Sequence, residues 1–197
     1  MSKAEKTRDY IIEKAAPVFN KKGYAGTSLN DLVSATGLTK GSIYGNFENK
    51  DEVATAVFEY NIDGVNRRIA EYVVPKKTAR EKLIGITEYY RANWKNVFER
   101  GGCPLQNASV EADDNLSFLK PHVQNSISRW AKSIGRIIEH GKENGEFKKN
   151  VNSTEHAYMI ITLLEGGIML GKIMNNHKHL FLALDRIVGI INTEIKK

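Results

Sequence analysis

The chain has 197 residues, 41% of them hydrophobic and 26% charged, a length and balance that suit one or two globular domains. Four prolines and the lack of any low-complexity tract argue against long disorder, and a single cysteine, Cys103, excludes an intrachain disulfide, as expected for a reducing cytoplasm. The net charge of +6 suits a polyanionic partner without specifying one, and residues 1–50 carry eight Lys/Arg against five Asp/Glu, so half of the excess sits in the first quarter of the chain.

Helical periodicity dominates, and no run alternates convincingly as a strand would. The opening MSKAEKTRDY lacks the apolar core of a signal peptide, so a cytoplasmic protein is expected. A first helix is predicted over about Ala4–Lys22, with Ile12, Ala15, Ala16 and Phe19 on one face, a kink at Pro17 and a stop at Gly23. Two short helices follow, Leu29–Ala35 and Lys40–Asn46. Thr27 or Ser28 can cap the first, Thr39 can cap the second, and Gly37 lies in the turn between them. A fourth helix is expected from Asn49 to about Val73.

Beyond Pro75 the chain reads as long helices with short breaks. Thr78-Ala-Arg-Glu81 is a capping box for a helix reaching Phe98, and Gly101-Gly-Cys-Pro104 breaks it. Helices are then expected over Leu105–Ala112, Pro121–Lys142, Asn152–Met174 and His179–Ile195. Tyr158–Met174 is the most apolar segment, but it carries Glu165 at its middle and is short for a membrane span, so it reads as a buried helix. The predicted class is all-α, with a small N-terminal unit at 1–50 joined to a larger helical unit at 51–197.

Residues 27–47 carry the strongest functional signal. Leu29, Leu32 and Val33 form one apolar stripe, and Leu38, Ile43 and Phe47 form another across a tight turn. Two short helices joined by a glycine-containing turn and packed on a third make a helix-turn-helix, whose second helix enters the major groove. Its leading edge is Thr39-Lys40-Gly41-Ser42. Gly41 lets the backbone approach DNA, and helix-start amides favour phosphate oxygens. Tyr44 lies one turn on and can donate its hydroxyl to a phosphate, and Lys50 is placed to meet the DNA backbone from the side.

Residues 7–58 resemble the N-terminal domain of the TetR family of bacterial transcriptional regulators. The likeness rests on Phe19…Gly23-Tyr24, then Thr27-Ser28-Leu29…Leu32-Val33…Ala35-Thr36-Gly37-Leu38, then Gly41-Ser42-Ile43-Tyr44-Gly45-Asn46-Phe47…Lys50-Asp51-Glu52. Two positions depart from it: Asn46, where the family often has histidine, and Gly45, often a larger residue. The resemblance implies double-stranded operator DNA as partner, with Thr27, Ser28 and Asn46 joining Thr39, Lys40, Gly41, Ser42, Tyr44 and Lys50 as contact candidates. It also implies a small-molecule effector pocket among the central helices, a homodimer built on the last two long helices, and no cofactor.

The aromatic residues Phe58, Tyr89, Tyr90, Trp94, Phe98, Phe118 and Trp130 fall on those central helices, and most read as core. The pocket candidates are Phe58, Ile62, Tyr90, Trp94, Phe98 and Trp130, with Asn107 and Glu165 as polar groups; Asn107, Glu111 and Glu165 each read as solvent-exposed or capping residues ahead of ligand contacts. Glycines at 166, 167 and 171 interrupt an apolar helix at about 1 kcal/mol each, so a close helix approach is expected there. Gly167 and Gly171 are assigned to the dimer interface; a contact within one chain is the alternative. Cys103 could serve redox sensing or simple burial. His177 and His179 make a poor metal pair, and no phosphate loop, nucleophile elbow or paired carboxylates are present. The reading is a repressor, not an enzyme, released from its operator by its effector. The rivals are an activator or ligand-independent regulator on the same fold, and a helical carrier or enzyme.

Overall fold

The computed structural model describes residues 2–197. Among the described residues nine α-helices run in order: α1 (Lys3–Lys22), α2 (Leu29–Thr36), α3 (Lys40–Tyr44), α4 (Lys50–Val73), α5 (Ala79–Glu99), α6 (Pro104–Asp114), α7 (Lys120–Glu143), α8 (Ser153–Ile173) and α9 (His177–Ile190). A π-helical turn, Ile191–Ile195, closes the chain, and an antiparallel bridge between Phe147 and Lys196 is the one extended pairing among the described residues. The all-α expectation holds, and no helix of the described residues is long and apolar enough to cross a membrane.

The chain divides into two compact units. One comprises Met1–Gly64 and Pro104–Ser126; the other comprises Val65–Cys103 and Ile127–Lys197. The sequence reading drew its boundary after residue 50. In the structure α4 is continuous across that region, and α6 groups with the N-terminal helices.

In the first unit, side chains at the helix starts supply partners for amides that have none within the helix. Ser2 and Glu5 form a capping box on α1, and Ser28 and Asp31 form another on α2. Such caps contribute about 1 kcal/mol each. The buried face of α1 is Ile11, Ala15, Ala16, Phe19 and Asn20, so Ile11 takes the place expected for Ile12, which is half-buried. Pro17 is exposed and α1 continues through it. Gly37, at φ 68°, ends α2 in the left-handed region and donates its amide to the Val33 carbonyl at 2.9 Å. Tyr24 anchors the core, its ring 5.3 Å from that of Phe19 and 6.4 Å from that of Phe58. Leu32, Ile43 and Phe47 complete this core.

In the second unit the Thr78–Glu81 capping box forms as expected. The Glu146 carboxylate adds to it by accepting the Ala79 and Arg80 amides at 3.0 and 3.1 Å. Helix α9 starts two residues earlier than expected because Asn176, not a later residue, caps it. Its regular α-turns stop at Ile190. The turn beyond them is gripped by the Lys148 ammonium, which donates to the Thr193 and Glu194 carbonyls at 2.8 and 3.2 Å.

The glycines of α8 have distinct neighbours. A Cβ on Gly167 would lie 2.7 Å from the Ala183 Cβ and 3.3 Å from the Leu180 Cα, so Gly167 permits α8 and α9 of one chain to touch. A Cβ on Gly171 would lie 2.6 Å from the tip of the Phe98 ring, on α5. Both are buried against their own chain rather than presented outward. On α7, by contrast, a Cβ on Gly135 would meet only the Ser153 carbonyl, at 3.9 Å. Gly135→Ala should therefore raise stability by up to about 1 kcal/mol through helix propensity. Gly167→Ala should lower it by about 1–3 kcal/mol, because neither neighbour is a flexible chain end that can move aside. Urea unfolding of both variants checks the opposite signs.

Candidate nucleic-acid interface

Helix α3 has a fixed back and an open front. Ile43 is wholly buried, whereas Thr39, Lys40 and Gly41 are exposed and Tyr44 is 39% exposed. A Cβ on Gly41 would meet nothing within 4 Å, so the chain leaves that face clear. The Thr39 hydroxyl accepts the Ser42 amide at 3.2 Å and sets the start of the helix.

Arg8 holds the other end. Its Nη1 donates to the Asn46 carbonyl at 2.6 Å, its Nη2 donates to Glu52 Oε1 at 2.7 Å, and its guanidinium carbon lies 4.0 Å from the centroid of the Phe47 ring. Glu52 also accepts the Glu48 amide at 2.7 Å, and that bond first, then Arg8, holds its carboxyl below the usual carboxylate range. The Asn46 side-chain amide donates to the Ser42 carbonyl at 2.8 Å. Thus α3 is pinned to α1 and α4 from behind while its front stays unencumbered.

The other candidates for DNA contact are placed differently. Ser28 is exposed, and its hydroxyl both caps α2 and bonds to Asp31 at 2.9 Å. The Asp31 carboxyl is pushed down to about 2 by the Lys22 ammonium at 2.5 Å and by the Ser28 amide and hydroxyl. Thr27 is fully buried, its hydroxyl donating to the Gly23 carbonyl at 2.6 Å, so its side chain faces inward. Lys50 is half-buried and donates to the Thr27 and Tyr24 carbonyls at 3.0 and 3.4 Å. The carboxylate of Glu111, on α6, accepts the Tyr24 and Ala25 amides, and the Asn107 side-chain amide reaches the Asn20 carbonyl at 3.0 Å. Asn107 and Glu111 thus hold the backbone at and after the end of α1, in keeping with the capping alternative.

The remaining pocket candidates separate. Phe58 lies in the core of the first unit beside Tyr24, and Ile62 is half-buried on α4. In the second unit Trp94 stacks on His177 with ring centroids 4.7 Å apart, Phe98 sits edge-on to Trp94 at 5.6 Å, and Trp130 is half-buried. Tyr90 is buried in the same unit as Cys103 and Glu165. The Cys103 thiol donates to Glu165 Oε1 at 3.0 Å, and one Glu165 carboxylate oxygen is sealed from solvent. Burial first, then the nearby Cys103 and Glu165, pushes the Tyr90 hydroxyl well above its ordinary range. No group of three or more His, Cys, Asp or Glu arranged to hold a metal occurs among the described residues.

The fold and the exposed α3 can be set beside known proteins. The profile described as "Bacterial regulatory proteins, tetR family" matches residues 11–57, and "Tetracyclin repressor-like, C-terminal domain" matches residues 79–187. This chain belongs to the TetR family of transcriptional regulators. A TetR-family regulator of Cytophaga hutchinsonii is 40% identical, superposes with a TM-score of 0.95, and is covered to 98% while covering all of this chain. A TetR regulator of Chloroflexus aurantiacus is 32% identical with a TM-score of 0.91, covering all of this chain and 99% of its own. Among curated relatives, the HTH-type transcriptional repressor DhaR of a Mycobacterium is 25% identical over 93% of this chain and 89% of its own. As a TetR-family member the chain is a helix-turn-helix regulator of transcription.

Within the second unit, burial raises the Glu165 carboxyl from 4.5 to about 7, opposed by the Cys103 hydrogen bond. Between about 4.5 and 7 the folded chain keeps a proton that the unfolded chain releases, so this group makes stability fall as pH rises through that window. Glu165→Gln should remove that decline: its melting temperature should gain on the wild type from pH 5 to pH 8. Parallel melting curves across the range would refute the assignment.

Proposed function

We propose that this chain is a homodimeric repressor, acting in the bacterial cytoplasm, that grips operator DNA with α3 and leaves it when a small-molecule effector binds the second unit. The observation that carries the DNA-binding part is the contrast on α3, sealed behind by Ile43 and Arg8 and open in front at Thr39, Lys40, Gly41 and Tyr44. Lys40 supplies charge to a phosphate or a guanine edge, and Tyr44 supplies a phosphate donor. Ser28 and Ser42 flank this edge. Asn46 and Lys50 act through the backbone they hold.

A second copy of the chain is the occupant we assign to α8. Tyr158, Met169, Leu170, Ile173 and Met174 are all exposed, and with Thr162 and half-buried Gly166 they recur at roughly four-residue spacing along one face. Leu182 on α9 adds to the exposed apolar surface, 71% accessible. Gly166, with nothing within 4 Å of a Cβ placed on it, leaves space for close approach of a partner helix. Gly167 and Gly171 serve the same surface indirectly by fixing α8 against α9 and α5. For the effector site the supporting feature is the buried group of Tyr90, Cys103 and Glu165, with Trp94, Phe98 and Trp130 on the same unit. An effector lifts repression only through a difference in its affinity for the DNA-bound and free conformations.

Wild-type protein should bind duplex DNA from upstream of its own coding sequence in a sequence-specific, salt-sensitive manner. Lys40→Ala should weaken that binding at least several-fold and, if Lys40 meets a phosphate, reduce the salt slope by about one. Normal binding by both Lys40→Ala and Tyr44→Ala would remove α3 as the reading element. The pair Ile173→Glu and Leu182→Glu should convert a micromolar dimer to monomer in analytical ultracentrifugation; unchanged sedimentation would place the dimer contact elsewhere.

A further inference from the structure

The turn from Gly23 to Thr27, which joins α1 to α2, is held by side chains from three directions. The Glu111 carboxylate accepts the Tyr24 amide at 2.9 Å and the Ala25 amide at 2.7 Å. The Lys50 ammonium donates to the Tyr24 and Thr27 carbonyls, and the Thr27 hydroxyl donates to the Gly23 carbonyl. An anion therefore takes the amides of the turn and a cation takes its carbonyls. The contact is also shaped to exclude alternatives. Gly23 has φ +84°, and a Cβ there would lie 2.7 Å from Glu111 Oε1. The amides face the carboxylate because the residue before them is glycine.

We propose that Glu111 is a positioning residue for DNA binding: by clamping the Tyr24 and Ala25 amides it fixes the entry of the chain into α2, and so the placement of α3. It touches no DNA. The turn ends at Thr27, the next residue caps α2, and α2 leads through Gly37 directly into α3, so a change of direction at Tyr24–Ala25 is carried to the reading edge. Lys50 alone cannot maintain the turn, since it engages only carbonyls and leaves the two amides to Glu111. A charged acceptor on two backbone amides is stronger than a neutral one. Asn107, one turn earlier on α6, holds the Asn20 carbonyl at the end of α1 and keeps Glu111 in register.

The inference rests on α3 reading DNA, and its test separates the two claims. Wild type, Lys40→Ala, Glu111→Gln, Glu111→Ala, Gly23→Ala and the Gly23→Ala/Glu111→Ala double variant are compared on a duplex selected by the wild type from a randomised pool. Affinity is followed across a salt series, with melting temperature and amide hydrogen exchange in parallel. Glu111→Gln keeps one acceptor and should bind about tenfold more weakly, with Glu111→Ala weaker still. The salt slope should match wild type, because no phosphate contact is lost. Exchange should accelerate at the Tyr24 and Ala25 amides while the melting temperature moves little. Gly23→Ala should weaken binding less in the Glu111→Ala background than in wild type, since the clash has gone. Wild-type affinity in both Glu111 variants, beside a weakened Lys40→Ala, would overturn the positioning role and leave the α3 reading intact. A reduced salt slope in Glu111→Gln would overturn it too, as would global melting of both variants, which would make Glu111 a stability residue. Failure of Lys40→Ala and the Glu111 variants alike to alter binding would count against α3 itself.

Discussion

Every α-helix leaves amides at its start and carbonyls at its end without partners inside the helix, and a chain whose described residues form nine α-helices with short connections must find partners for them all. Much of this structure follows from how that requirement is met. Ser2, Ser28, Thr39, Thr78, Asn152 and Asn176 each receive an amide near the start of their own helix. Where local caps do not suffice, a carboxylate comes from far along the chain. Glu146 takes two amides at the start of α5, and Glu111 takes two just beyond the end of α1. The capped ends set where helices begin, the beginnings set the direction of each axis, and the axes decide which faces meet.

The same economy explains why α3 can be so short and still serve as a rigid edge. Five residues make barely more than one helical turn and have little stability of their own. Their order comes from behind, through Ile43 in the core and Arg8 on the Asn46 carbonyl, so the exposed front need contribute nothing to folding. Side chains such as Lys40 and Tyr44 are then free to be chosen for what they contact. The cost of ordering the backbone that carries them is met within the fold itself.

Local signals were readable from the sequence and distant ones were not. A Thr78–Glu81 capping box marked the start of α5, serine or threonine marked those of α2 and α3, and glycine marked the end of α1 and the turn after α2. The helix-turn-helix, with its open polar edge, was legible because its pattern lies within about twenty consecutive residues. Nothing in the local pattern around Arg8 points to its partners, Asn46 and Glu52, 38 and 44 residues away. A capping role for Glu111 and Asn107 could be read from their type, but not its target, which is backbone 86 or 87 residues earlier. No periodicity reports a side chain meeting a remote amide. The glycines of α8 showed that something approaches closely without showing what: Ala183 and Phe98 of the same chain meet Gly167 and Gly171, while Gly166 faces away.

The unit that carries α3 is discontinuous along the chain: Met1–Gly64 and Pro104–Ser126, with α5 threaded between them in sequence. Genes of this kind are easily imagined as modular, a reading head joined to an interchangeable body at a seam near residue 50. The physical seam does not fall there. A recombination event cut within α4 would import a head whose α1–α2 turn had evolved against a different sixth helix, leaving two amides facing whatever residue the recipient carries at position 111. In this chain Pro104–Ser126 belongs with Met1–Gly64, although α5 separates them in sequence. A productive chimera is one that exchanges both stretches together.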